Sequence, residues 1–235
     1  MHEWNAPQKP ADYAEESLIT AILNGDYPPG TALPGERDLA AQLGLTRPTL
    51  RETLQRLARD GWITIRQGKP TLVNDFWREG GLNVLSTLVR YRHVPDNFVP
   101  CLLEVRLAMA PAYTAAAVRH DPQSMLAHLQ SAAALEEDAG AFARYDWQLH
   151  HLLTIASGNP IYTLILNGFA SFYEIMACQY FARAEARSFS RQFYADLCAA
   201  FVNSNAASAE AITRHVMEES IVHWQAVANL KSQEP

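Results

Sequence analysis

The chain is 235 residues long, 49% apolar and 19% charged, with a formal net charge of −6. That is enough for one large domain or two modest ones, and the composition excludes disorder over most of the chain. The overall acidity argues against a nucleic-acid partner unless a local basic segment supplies the contact.

The N-terminus, Met1-His2-Glu3-Trp4-Asn5, has no basic region followed by an apolar core, so no secretory signal is expected. Residues 11–25 read as a first helix, with Ala14, Leu18, Ala21 and Ile22 on one face and Gly25 at the stop. Tyr27-Pro28-Pro29-Gly30 then forbids helix. A short second helix is expected from about Gly35 to Leu43, ended by Gly44. Thr46 is a good N-cap for a third, and Pro48 falls in its first turn, where a missing N–H costs little. Leu50, Leu54 and Leu57 form the buried stripe of that helix, and Gly61 ends it. Trp62-Ile63-Thr64-Ile65 and Thr71-Leu72-Val73 alternate as strands around the basic turn Arg66-Gln67-Gly68-Lys69-Pro70, the pattern of a β-hairpin. Three short helices followed by a hairpin make a winged helix-turn-helix.

From about Asn83 onward the period is helical. Helices are expected over 80–92, 96–119, 122–139, 140–157, 160–183, 185–204 and 206–230. Breaks fall at Pro95, Asp121-Pro122, Gly140 and Ser157-Gly158-Asn159-Pro160. The longest stretch free of charge and strong polarity, Leu107 to Val118, is too short to cross a bilayer. Cys101, Cys178 and Cys198 are far apart and odd in number, which argues against a disulfide frame and points to a cytoplasmic setting. The expected fold is mostly α: a winged helix-turn-helix with a β-hairpin wing at 8–76, a linker at 77–82, and an all-helical bundle at 83–235. Phe76 and Trp77 are expected to pack rather than float, with Gly80-Gly81 as a hinge.

The segment from Thr46 to Pro70 carries six basic residues (Arg47, Arg51, Arg56, Arg59, Arg66 and Lys69) against Glu52 and Asp60. In a helix-turn-helix the second helix enters the major groove with its N-terminal residues against base edges. Thr46, Arg47, Thr49 and Arg51 occupy that first turn and a half, and an arginine there can hold guanine O6 and N7 bidentately. Arg37 on the preceding helix is placed for the DNA backbone, and Lys69 beside Gly68 for the adjacent minor groove. A scaffold that only dimerises would not need these arginines.

The run from Leu50 to Trp62 resembles the GntR superfamily of bacterial regulators. Gly68-Lys69-Pro70-Thr71, Val73-Asn74-Asp75-Phe76-Trp77, Ala156-Ser157-Gly158-Asn159-Pro160-Ile161-Tyr162 and Glu185-Ala186-Arg187-Ser188 resemble its FadR-type branch. The resemblance implies a homodimer that binds double-stranded operator DNA and a helical domain that takes a long-chain acyl-CoA, which releases the DNA. It implies repression of fatty acid degradation genes, with activation of synthesis genes as a second role. It places DNA contacts on Arg37, Thr46, Arg47, Thr49, Arg51, Gln67, Gly68 and Lys69, with Pro48 standing for a threonine and Gln67 for a wing histidine. It places Leu103, Arg106, Tyr180 and Tyr194 on the effector cavity, and Ser220 and Trp224 near the CoA part. A Tyr-Gly pair of that branch is Val216-Met217 here, and a later basic residue is Asn229. Without the resemblance, the same residues read as a helix-bundle core.

Asp146 and His150 lie one turn apart, a spacing suited to two ligands of one metal. Other members of the superfamily hold a divalent metal with a small organic acid here. His215 matches one further ligand position and Tyr194 occupies the other. The plainer reading, a partly exposed Asp–His hydrogen bond, is preferred. A metal-dependent hydrolase built on Asp146, His150 and His215 is the best enzymatic alternative, but it leaves the winged helix without a purpose. No GxSxG elbow, P-loop, GxGxxG or HExxH is present, and no enzyme is expected.

Overall fold

A computed structural model describes residues 9–95 and 97–231, with side chains through Gln225. The readings made on Met1 to Gln8 and on the Asn229 side chain lie outside the described residues. The chain divides into two compact units, Met1–His93 and Val94–Pro235.

In the first unit, α1 (Pro10–Leu23), α2 (Glu36–Gln42) and α3 (Arg47–Arg59) are the three expected helices. α1 packs on α3, burying Ala14, Leu18, Ile19 and Ile22 against Leu50, Leu54 and Leu57. Each such large aliphatic side chain contributes about 1.5–3 kcal/mol by leaving water. The Thr53 hydroxyl, sealed in that seam, donates to the carbonyls of Ala11 and Thr49, both at 3.2 Å. β1 (Ile63–Thr64) pairs antiparallel with β2 (Leu72–Val73), in register Ile63↔Val73 and Thr64↔Leu72. The ladder is shorter than the expected strands because Ile65 to Pro70 stand exposed as the wing, and Pro70 has no N–H to donate. A bridge from Ala32 to Leu72 adds a partner on the other side of β2, which the proline-rich loop before it concealed.

α4 (Phe76–Glu79) is a single helical turn where a linker was expected. Phe76 does pack, its ring 4.8 Å from that of Trp62, but Trp77 is 55% exposed. The expected hinge is not supported at Gly80. A Cβ there would come within 2.4 Å of the Phe76 carbonyl oxygen and 2.6 Å of Val84, so this glycine serves close packing of backbone on backbone. α5 (Asn83–Arg90) falls inside the first compact unit.

The second unit contains α6 (Phe98–His120), α7 (Pro122–Ser131) with a 3-10 turn at Ala132–Ala134, α8 (Ala139–Ala156), α9 (Pro160–Asn167), α10 (Ala170–Phe181), α11 (Ala184–Val202) and α12 (Ala206–Lys231). α6 lies along α12 and α8, α8 carries α9 and α10, and α11 joins α12 to α7. Ala110, Ala117, Ala143 and Ala209 are sealed in the core and let helices approach closely. Two expected helices differ. The one over 122–139 stops early, because Asp138 turns to cap α8 by accepting from the Ala141 N–H at 2.8 Å. The one over 160–183 breaks at Gly168-Phe169 with a bend of 73°. α6 is long and apolar enough to cross a membrane, with mean hydropathy 1.3, but it buries Ala110, Tyr113, Thr114 and Ala117 inside the bundle as a core helix.

Candidate DNA interface and effector cavity

α3 starts at a side-chain cap. Thr46 is extended, and its Oγ1 accepts from the Thr49 N–H at 3.4 Å and lies 2.9 Å from the Thr49 hydroxyl. Pro48 follows in the first turn, as expected. Gly44, at φ +67°, makes the turn between α2 and α3 in a conformation that L residues rarely adopt. At the wing tip, Gly68 has φ +71° and the Lys69 N–H donates to the Arg66 carbonyl at 3.1 Å, a tight reversal that presents Lys69 outward.

Arg37, Thr46, Arg47, Arg51, Gln67, Gly68 and Lys69 are all exposed, and Thr49 is half-buried. The apolar stripe of α3 faces inward, so Arg47 and Arg51, one turn apart, share the outer face. Their electrostatic situations differ. Arg51 Nε donates to Glu36 at 2.6 Å, an exposed pair that bridges α2 and α3. Arg56 is held by Glu52, Asp12 and Glu15, and Arg37 by its neighbour Asp38. Arg47, Arg66 and Lys69 have no ion-pair partner among the described residues. Exposed pairs of this kind are worth about 0–1 kcal/mol, so a phosphate or a base edge displaces them at little cost. Glu36 is a partner that the sequence reading missed; its position one residue before Arg37 gave no hint of a contact 15 residues away.

The second unit contains a partly open cavity of about 90 Å³. Its walls are largely apolar: Leu102, Phe169, Phe172, Met176 and Phe193 among others. The break between α9 and α10 has a role here, since it sends Phe169 and Phe172 into the wall. Leu103, Arg106, Tyr180, Ser220 and Trp224 line the cavity. Val216 and Met217 also line it and are buried. The Ser220 hydroxyl donates back to the Val216 carbonyl at 2.7 Å and stands 3.5 Å from Tyr180 Oη. Tyr194 departs from its expected place. It lies behind the wall, fully buried, and donates to Asp146 at 3.0 Å.

Asp146 is the centre of a buried polar cluster. It accepts from Tyr173 Oη at 2.5 Å, from Tyr194 Oη at 3.0 Å, and from Arg106 Nη2 at 3.4 Å. Burial opposes its charge, but its neighbours, His150 and the Arg106 guanidinium ahead of the two hydroxyls, outweigh burial and hold its carboxyl below the ordinary range. Burial likewise opposes the Arg106 charge, and Tyr173 and Asp146 overcome it. The Tyr173 ring also stacks under the guanidinium at 5.3 Å.

The expected Asp146–His150 hydrogen bond does not form. Asp146 Oδ1 and His150 Nε2 are 3.9 Å apart, both groups are buried, and His150 Nδ1 instead meets Tyr113 Oη at 2.7 Å. Burial pushes the His150 pKa down to about 3, so the ring is neutral at pH 7. The metal set is not assembled either. His215 is exposed and rests edge-on against Phe189, apart from the sealed Asp146 and His150. The Tyr194 hydroxyl occupies Asp146 Oδ1, the oxygen that faces His150, and no cluster of three or more metal-ligating side chains occurs among the described residues.

Comparison with known proteins agrees with this two-part organisation. Residues 10–73 match the model of bacterial regulatory proteins of the gntR family, and residues 74–233 match the FadR C-terminal domain. The chain is 42% identical over 221 residues to the fatty acid metabolism regulator protein of Shewanella pealeana, covering 93% of this chain and 92% of the relative. It is 49% identical over 192 residues to that of Klebsiella pneumoniae, covering 81% and 80%. Among solved structures, Lar, which controls expression of the Listeria monocytogenes agr system, superposes with a TM-score of 0.60 at 17% identity, over 93% of this chain and 98% of its own, and shows the shared fold. These relatives are regulators and not enzymes. The chain therefore belongs to the GntR family of bacterial transcription regulators, in the branch of DNA-binding fatty acid metabolism regulators that carry the FadR C-terminal domain.

Proposed function

We propose that this regulator is a cytoplasmic homodimer that represses fatty acid degradation genes, activates synthesis genes, and leaves its operator when a long-chain acyl-CoA fills the cavity of the second unit. The observation that carries this reading is the cavity itself: largely apolar walls, inside a domain of the FadR C-terminal family. Apolar walls suit an alkyl chain, and Tyr180, Ser220 and Trp224 supply polar groups for the thioester end. On the DNA side, Arg47 and Arg51 read base edges, Arg37, Thr46 and Thr49 hold backbone, and Gln67, Gly68 and Lys69 form the wing contact. The acyl-CoA acts by binding the DNA-incompetent arrangement better than the competent one. Native mass spectrometry of protein purified from cells tests the effector: a retained acyl-CoA mass supports it, and a retained metal with an organic acid contradicts it.

A further inference from the structure

The polar cluster on the cavity wall is unbalanced in one respect. Asp146 is fully served, with two tyrosine hydroxyls and the Arg106 guanidinium upon it. Arg106 is not. A guanidinium has five N–H donors, and the single hydrogen bond of this one is the long 3.4 Å contact to Asp146. Its Nε is sealed without a partner, and 21% of the side chain is open while the residue lines the cavity. In charge the cluster is already balanced, because Asp146 offsets Arg106 and His150 is neutral. An anionic group brought here would sit beside the Asp146 carboxylate in an apolar enclosure, which is unfavourable. A bare alkyl chain would exclude water from the guanidinium and return no acceptor. A neutral oxygen meets both conditions.

We propose that the Arg106 wall of the cavity is an oxygen subsite, selecting acyl thioesters whose chain carries a hydroxyl or keto oxygen over plain saturated ones. This rests on the acyl-CoA reading and sharpens its ligand class. The thioester carbonyl is the other source of such an oxygen, and the experiment separates the two.

Calorimetric titration of the full-length protein uses four probes of equal length: a saturated long-chain acyl-CoA, and its analogues hydroxylated near the thioester, at mid-chain, and near the methyl end. One hydroxylated probe should bind about tenfold more tightly than the saturated one, the worth of one added hydrogen bond. The double variant Arg106→Met with Asp146→Asn removes both charges together, so neither is left buried alone. Circular dichroism confirms its fold, and Arg106→Lys, which keeps the charge and loses the planar fork, serves as the second variant. Both variants should lose the tenfold preference between the hydroxylated and the saturated probe. Equal affinity for all four probes in the native protein overturns the subsite and leaves the acyl-CoA reading standing. A preference that survives in the variants overturns the assignment to Arg106. Equal weakening of all four probes in the variants assigns the guanidinium to the thioester carbonyl and overturns selection by the chain. No binding by any probe overturns both readings.

Discussion

The two units of this regulator place their charges in opposite ways. The first keeps its cations on the surface, paired with exposed carboxylates or not paired at all, as with Arg51–Glu36 and with Arg47 and Lys69. The second takes one arginine and one aspartate out of water and surrounds them with tyrosines. Surface pairs cost little to break, which suits a face that must exchange its partners for phosphates. A buried pair is costly to break, which suits a wall that must keep its shape while a ligand comes and goes.

The contrast predicts unequal responses to mutation. Asp146→Ala should cost about 3–5 kcal/mol of folding stability, because it strands the Arg106 charge and two tyrosine hydroxyls, and a urea titration of the full chain reads it. A cost as small as that of a surface change would remove the distinction between the units. Acid should act on the same cluster. Folded His150 stays neutral down to about pH 3, whereas an unfolded histidine takes its proton near 6.5, so the unfolded chain binds the extra proton between these values. Stability should therefore fall as pH drops through that window, by about 1.4 kcal/mol per pH unit at the steepest. Asp146, with its lowered pKa, adds a loss in the same direction below the ordinary carboxylate range. His150→Gln should flatten the first slope and leave the second, as pH-dependent melting would show.

On the DNA face the effects should lie in binding and not in folding. Arg47→Ala or Arg51→Ala should weaken operator affinity by about 1–3 kcal/mol with melting unchanged, and Lys69→Ala should weaken all duplexes alike and flatten the salt slope. Fluorescence anisotropy at several salt concentrations separates these outcomes, and unchanged operator affinity in both arginine variants would refute the placement of α3. Smallest is Thr46→Ala. Loss of its cap on Thr49 should cost about 1 kcal/mol of stability, measured by thermal melting.

The first unit was legible in the sequence because its signals are local. A cap at Thr46, a left-handed glycine at Gly44 and a stripe at Leu50, Leu54 and Leu57 each act within a few residues of one another. What escaped there was also what is not local: the Ala32 bridge and the Glu36–Arg51 pair. In the second unit the resemblance located Leu103, Arg106, Tyr180, Ser220 and Trp224 on the cavity wall, but not the logic of its polar cluster. Arg106, Asp146, Tyr173 and Tyr194 come from four helices, and no spacing in the chain announces that they meet. The one local signal, Asp146 and His150 one turn apart, pointed to a metal or to a direct hydrogen bond, and Tyr113 and Tyr194 took those partners instead. The break at Gly168-Phe169 was hidden because apolar residues dominate both sides of it and a lone glycine is tolerated inside a helical pattern.

Filling the second unit's cavity is expected to alter DNA binding by the first. Titrating a saturating long-chain acyl-CoA into the protein–operator complex, followed by anisotropy of labelled DNA, tests it most directly. Release of the operator by the native protein is expected, with Trp224→Ala needing more acyl-CoA while binding DNA normally in its absence. Operator affinity that stays unchanged at saturation, with acyl-CoA demonstrably bound, would contradict the claim.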